Sequence, residues 1–360
     1  MNALHRHVGR LFVLGFPGTT IPPELGALAR EWDLGGVILF GRNIDEPEQV
    51  AELSYDAQQL AAGLPLWVSV DQEGGRVARL KAPFTEWPAM AALGRSGDRE
   101  LSRRVAIALA RELTAVGVTL DFAPVLDLYH EGADPVIGDR ALSDDPEVVA
   151  ELAASFIEAL QANGVAACGK HFPGHGDTRA DSHYELPVVE HPPERFRARD
   201  LVPFRAAIGA GVASVMTAHV LFPAFDEEHP ATLSSTIIDV LRTELGHGGL
   251  VITDDLEMGA ITASQPASGA SVQALAAGCD TLLLCGPSVE RHVAAIEAVI
   301  HAVETEQVPR SVVDRALRRQ EEVKSRFLQL PPARPLSGAA LRARLGTDAH
   351  LALAEELARA

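Results

Sequence analysis

The sequence predicts a single α/β domain, a parallel (β/α)8 barrel of the TIM type, and three observations carry that expectation. Short apolar runs alternate with segments of helical periodicity along the whole chain, the signature of βα units and a parallel sheet. The runs number eight, at 11–16, 36–40, 66–71, 119–127, 166–172, 214–219, 250–255 and 281–286. A doubly wound open sheet would show the same alternation, but the count of eight favours closure. Polar residues gather at the carboxyl ends of the runs: Asp71 after LWVSV, Asp127 after DFAPVL, Lys170 and His171 after AACG, His219 after SVMTA, and Asp254 and Asp255 after LVIT. In a barrel those ends form one face, the face that carries active sites.

Taken in order, Leu11–Phe16 opens the series; it is too short to span a membrane and no small-residue cleavage site follows it, so neither secretion nor insertion is expected. Between the runs, Asp98–Val116 shows the helical pattern plainly, with Leu101, Val105, Leu109 and Leu113 at one-turn spacing and Arg and Glu on the other face. The return from helix to strand repeats one device, Val116-Gly117-Val118, Asn163-Gly164-Val165, Ala210-Gly211-Val212 and Ala277-Gly278-Cys279, in which Gly takes the left-handed conformation that ends a helix. The longest connections follow the fourth and fifth runs and should wall a substrate cleft. After the eighth run the chain is helical and Pro-punctuated. The expected organisation is therefore a catalytic barrel over 1–330 and a C-terminal helical extension over 331–360 packed on it, with LALAEELARA as a helix closing the barrel.

Composition narrows the function classes. At 360 residues and 47% hydrophobic content the chain can bury a full core, and a formal charge of −18 would repel a phosphate backbone, so no nucleic-acid partner is expected. Cys168, Cys279 and Cys285 form no CxxC pair and sit in apolar runs, which reads as buried reduced thiols in a cytoplasmic protein. The composition is compatible with a monomer and fixes no oligomeric state.

The stretch CGKHFPGHGDTRADSH, Cys168–His183, argues for an enzyme, because three histidines, a lysine and acidic or hydroxyl partners crowd the end of a buried run and the loop after it. Each group has a plainer reading. Asp254 and Asp255 suit an N-cap and a first-turn acid, Lys170 a snorkelling lysine, and His171 a satisfied core histidine. Neighbours on a strand point to opposite sides, so Lys170 and His171 need not both face the barrel axis. His175, between two glycines, suits loop support. Arg76, Arg79 and Arg140 suit solvated surface charges, although Arg79 and Arg140 lie on loops that should frame the cleft and would suit sugar hydroxyls or an anionic group. Asp181 and His183 sit mid-loop and are the hardest to explain by packing, although an Asx-turn with an incidental histidine is the bland account. A metal hydrolase built on His171, His175, Asp177 and His183 is disfavoured: the HxHxDH and HExxH spacings are absent, and no metal or other cofactor is expected. Gln72-Glu73-Gly74-Gly75 lacks the spacing of a nucleotide loop. A barrel that binds a sugar without turning it over would differ only in turnover.

VDQEGGRVARL (70–80), DPVIGDRALS (134–143), GKHFPGHGDTRADSH (169–183) and VITDDLEM (251–258) together resemble, in this order along the chain, the glycoside hydrolase family 3 β-N-acetylglucosaminidases in their short, single-domain form. The resemblance covers most of the chain. It implies retaining removal of terminal β-linked N-acetylglucosamine from peptidoglycan turnover fragments in the cytoplasm, on a small carbohydrate or muropeptide substrate. It further implies Asp254 as the nucleophile, His183 as the acid/base, Asp181 as the group that orients the His183 ring, and Asp71, Arg79, Arg140, Lys170 and His171 as sugar-binding residues. Glu257 departs from the family pattern, where a small residue is expected, and touches the pocket wall. A phosphorylase, or a broader β-glucosidase on the same site, stands as the alternative, because a histidine acid/base repels phosphate less than a carboxylate does.

Overall fold

Eight parallel strands alternate with helices in the computed structural model, which describes residues 3–130, 132, 136–178, 181, 182 and 184–360, Ala3 and Leu4 as backbone only. The strands are β1 (Phe12–Leu14), β2 (Gly36–Leu39), β3 (Trp67–Val70), β4 (Leu120–Asp121), β5 (Ala166–Phe172), β6 (Ser214–Thr217), β7 (Leu250–Thr253) and β8 (Leu282–Leu284). Each pairs with its neighbour in chain order, and β8 returns to β1 with Phe12 opposite Leu282. A parallel bridge between Ile252 and Thr281, with the Thr253 N–H donating to the Thr281 carbonyl at 3.0 Å, joins β7 to β8. The sheet is thereby a closed barrel, as the run count suggested.

Closure sorts the apolar residues into two cores. Val13, Ile38, Trp67, Phe122, Met216 and Ile252 fill the interior with others of their layer, while Leu14, Val37, Val68, Val215 and Val251 point outward against the helices. The helices start where the chain supplies caps: the Asp98 carboxylate accepts from the Glu100 and Leu101 N–H groups ahead of Arg99–Ala115, and Asp145 caps Pro146–Ala162. Such a cap is worth about 1 kcal/mol. Gly117, Gly164, Gly211 and Gly278 all have positive φ, from 73° to 115°, so the helix-to-strand returns are built as expected.

Two elements differ from expectation. The run 119–127 forms only a two-residue strand, because Pro124 has no N–H to give the ladder; pairing resumes when Leu126 N–H reaches the Lys170 carbonyl at 2.6 Å. The C-terminal helix Asp348–Ala358 does not close the barrel. Its buried stripe of His350, Leu353, Ala354 and Leu357 faces the outer helices Ala91–Ser96 and Arg99–Ala115. The amino end is plugged instead by helix Arg310–Phe327, whose Gln320, Lys324 and Phe327 meet Trp67 at the start of β3. Among the described residues no helix is long and apolar enough to cross a membrane.

Candidate active site

The carboxyl ends of the strands open onto a cleft of about 420 Å³, lined by Asp71, Arg79, Arg140, Lys170, His171 and Asp254 among others. Six residues singled out from the sequence thus meet in one space. Ile38, Met216 and Leu283, the top of the interior core, form its apolar floor.

The polar wall is a tightly paired charge cluster. Lys170, 2% exposed, donates to Asp71 Oδ1 at 2.9 Å and lies 2.6 Å from Glu73 Oε1. Arg140 grips Glu73 with Nε and Nη2 at 2.8 and 2.9 Å, and Arg79 reaches Asp71 at 3.2 Å. Burial would raise both carboxyls, but the cations outweigh it: Lys170 and Arg79 hold Asp71 below its ordinary range, and Lys170 and Arg140 bring Glu73 to about 2. Burial likewise opposes the charge on Lys170, and Asp71 and Glu73 overcome it and raise its pKa. Asp71, Glu73, Arg140 and Lys170 are therefore ionised at neutral pH and held by their partners.

Lys170 and His171 both line the cleft although they are neighbours on β5. The register against β6 shifts between Gly169 and Phe172, and the Lys170–His171 peptide is cis. A bulge re-aims side chains in this way, so the strict alternation argument does not apply there. His171 Nδ1 hydrogen-bonds Asp127 Oδ2 at 2.7 Å, and Asp127 Oδ1 accepts the His171 and His175 N–H groups at 3.1 and 2.7 Å. The buried carboxylate thus fixes the orientation of a ring that lines the cleft.

Asp254 directly follows β7, with Asp255 N–H donating to its Oδ1 at 2.8 Å. Burial pushes this carboxyl up, but His219, His171, the Asp255 N–H and Lys170 together carry it below its ordinary range. Asp255 behaves oppositely. Burial raises it to about 6 even though its Oδ1 accepts from Cys285 N–H at 3.1 Å and Glu257 N–H at 3.0 Å. It fastens the β7 and β8 loops to each other. Glu257 does the same from behind, accepting the Gly286 N–H at 2.6 Å, so this departure from the family pattern supports the wall through Gly286. Cys168 and Cys279 are buried thiols, but Cys285 is only half-buried and lines the cleft, which corrects the expectation of three buried cysteines.

His175 supports its loop: Nδ1 meets Thr178 Oγ1 at 3.0 Å and Nε2 meets Ser182 Oγ at 2.9 Å, and burial lowers its pKa to about 4, so the ring is neutral. Through Ser182, which lines the cleft, it anchors the turn that holds Asp181. The Asp181 carbonyl accepts Tyr184 and Glu185 N–H at 3.0 and 3.1 Å, and Asp181 is not among the cleft-lining residues. His183 lies outside the described residues, as do Asp134 and Pro135 of the DPVIGDRALS segment. Among the described residues no group of three or more His, Cys, Asp or Glu could hold a metal ion.

Two residues escaped the sequence reading as site groups. Glu73 lies two positions after Asp71, the spacing at which strand side chains share a face, and that was its available signal. Asp127 was visible at a strand end, but nothing local tied it to His171.

Residues 8–323 match the glycosyl hydrolase family 3 N-terminal domain. The chain belongs to glycosyl hydrolase family 3. It is 41% identical over 301 residues to a β-hexosaminidase from Nitrosomonas eutropha, covering 81% of this chain and 86% of that protein. The structure of a family 3 β-N-acetylglucosaminidase from Paenibacillus superposes with a TM-score of 0.93 at 42% identity, covering 99% of this chain and 68% of that one. NagZ from Neisseria gonorrhoeae, solved in complex with N-trifluoroacetyl-D-glucosamine, superposes with a TM-score of 0.77 at 31% identity, over 99% of this chain and 98% of its own. This family 3 protein is accordingly a glycoside hydrolase, and the cleft at the carboxyl ends of its strands is its candidate active site.

Proposed function

We propose that the protein is a retaining exo-β-N-acetylglucosaminidase that removes terminal β-linked N-acetylglucosamine from peptidoglycan turnover fragments in the cytoplasm. The observation that carries the reading is an ionised Asp254 at the mouth of a barrel beside a wall of paired charges suited to sugar hydroxyls. Asp254 attacks the anomeric carbon and forms a glycosyl ester while His183 gives its proton to the departing aglycone oxygen. His183 then takes a proton from water, water attacks the same carbon, and Asp254 leaves with net retention. Asp181 orients the His183 ring and stabilises its imidazolium form. Asp71 accepts from ring hydroxyls. Arg79, Arg140, Lys170 and His171 donate to hydroxyls and the N-acetyl side, their geometry held by Glu73 and Asp127. Residues 1–330 form the catalytic unit and 331–360 an extension packed on it.

A panel of aryl β-glycosides of N-acetylglucosamine and glucose, assayed with and without phosphate, tests the reading. Hydrolysis of the N-acetylglucosaminide at a rate independent of phosphate is expected. Release of sugar 1-phosphate would make the protein a phosphorylase instead. A 2-fluoro glycosyl inactivator should add its mass to the Asp254 peptide, and labelling at Asp255 would move the nucleophile.

A further inference from the structure

One buried carboxylate lies outside the cleft and has no part in the mechanism above. Glu112, on helix Arg99–Ala115 and only 2% exposed, accepts four hydrogen bonds. Its Oε2 takes the Thr85 N–H at 2.8 Å, and its Oε1 takes the Thr85 hydroxyl at 2.6 Å, the Gly346 N–H at 2.9 Å and His350 Nδ1 at 2.7 Å. Two of these donors come from the C-terminal segment, which the family domain match, ending at residue 323, does not reach. The other two come from the loop between the β3 hairpin and the next helix. A carboxylate that accepts four hydrogen bonds, three of them at Oε1, with almost no exposure to water is a fixed joint between the segments it binds.

That joint leads to the cleft by two routes. The first runs through the loop: Gly346 packs so closely that a Cβ there would stand 2.3 Å from the Pro83 carbonyl, and four residues on the Trp87 carbonyl accepts the Gly75 N–H at 2.8 Å. Gly75 closes the hairpin Gln72–Gly74 with Val77–Ala78, which carries Glu73. The second runs through helix Ala91–Ser96, on which the C-terminal helix also packs; Gly94 of that helix touches the backbone of Leu142, two residues beyond Arg140. The routes meet where Arg140 grips Glu73.

We propose that the segment Leu345–His350, locked by Glu112, positions the sugar-binding cluster: it sets the distance between the hairpin bearing Glu73 and the loop bearing Arg140. Glu112, Thr85 and His350 are positioning residues and touch no substrate. The consequence rests on the glycosidase reading above. A site held within about 0.5 Å by its supporting shell loses ground-state affinity when that shell loosens, whereas Asp254, directly after another strand, keeps its geometry.

The test compares His350→Ala with His350→Asn in the full-length protein, because the Asn amide nitrogen can replace Nδ1 as the donor to Glu112. With an aryl N-acetylglucosaminide, His350→Ala should raise KM about 10-fold with kcat within about 2-fold, and His350→Asn should return KM to near the wild-type value. Hydrogen exchange read by mass spectrometry should show peptides covering 72–80 and 136–144 exchanging faster in His350→Ala, with β5 to β7 unchanged. A lowered melting temperature with KM and exchange in both peptides unchanged would reduce the cluster to a stability role and overturn the proposal. So would equal KM values for the two variants. The exchange measurement needs no substrate, so it stands even if the wild-type protein turns over none of the glycosides, an outcome that would count against the glycosidase reading alone.

Discussion

Two lysines buried at opposite ends of the same barrel show what distinguishes a working face from a structural one. Lys170, 2% exposed, stands at the carboxyl end between Asp71 and Glu73, and its charge is stabilised. Lys324, 1% exposed, plugs the amino end, donating to the Gly35 and Pro65 carbonyls at 2.6 and 2.8 Å above the Trp67 ring. Burial, helped by Arg10, drives its pKa well below the ordinary lysine range. Two carbonyl acceptors match the two N–H bonds of a neutral amine. The chain thus spends carboxylates on the end where charge is to meet a polar ligand, and fills the other end with a long side chain that can shed its charge.

The largest effect should come from the working end. Asp254→Asn should lower kcat by roughly 10⁴-fold or more while leaving thermal unfolding near wild type, because an amide cannot form the glycosyl ester. A variant that kept substantial turnover would remove Asp254 from the mechanism and shift attention to Asp255.

Next in size, His183→Ala should depend on the leaving group. A loss of ~10²–10⁴-fold is expected on a disaccharide fragment, whose departing oxygen needs a proton. The loss in the first step on a dinitrophenyl glycoside should be far smaller, and Asp181→Ala should give a milder copy of the pattern. Equal losses on both substrates would mean that His183 binds sugar without transferring a proton.

The two lysines can then be set against each other. Lys170→Met strands Asp71 and Glu73 together in a buried site, which should cost about 3–5 kcal/mol in urea unfolding and raise KM. The pH dependence follows from Glu73, whose pKa falls from 4.5 to about 2 on folding: its contribution is complete above pH 4.5 and disappears as pH falls toward about 2. Without Lys170 that window should move up, and acid unfolding should begin at a higher pH. An unchanged acid midpoint would show that Arg140 alone suffices.

Lys324→Met should be the mildest, costing about 1–3 kcal/mol for two carbonyls left without donors, with kcat and KM unchanged. Because the folded pKa of Lys324 lies below its unfolded value, the unfolded chain binds the additional proton between the two, and wild-type stability rises with pH across that window. The variant should lack this rise, whose upper edge is the ordinary lysine value of about 10. If its urea midpoints kept the wild-type slope, Lys324 would be charged in place and the contrast between the two ends would be lost.

What was legible in the sequence was the repeating, local part of the structure. Apolar runs, the helical stripe of Leu101, Val105, Leu109 and Leu113, and the four returning glycines all follow from the periods of strand and helix, which neighbouring residues set among themselves. With eight runs and polar residues at their carboxyl ends, the barrel and its working face followed, and so did a cleft containing Asp71, Arg79, Arg140, Lys170, His171 and Asp254. Tertiary structure alone decided the partners. Lys170 meets Asp71 across 99 residues of chain, and His171 meets Asp127 across 44. Only the bulge in β5 turns both neighbours into one cleft, and only packing sends the C-terminal helix to the outer layer while Lys324 plugs the amino end. The physical reason is that charge and burial are properties of a neighbourhood: the charge of the same lysine side chain is stabilised beside two carboxylates and destabilised beside two carbonyls, and no local pattern records which of these the fold will bring to it.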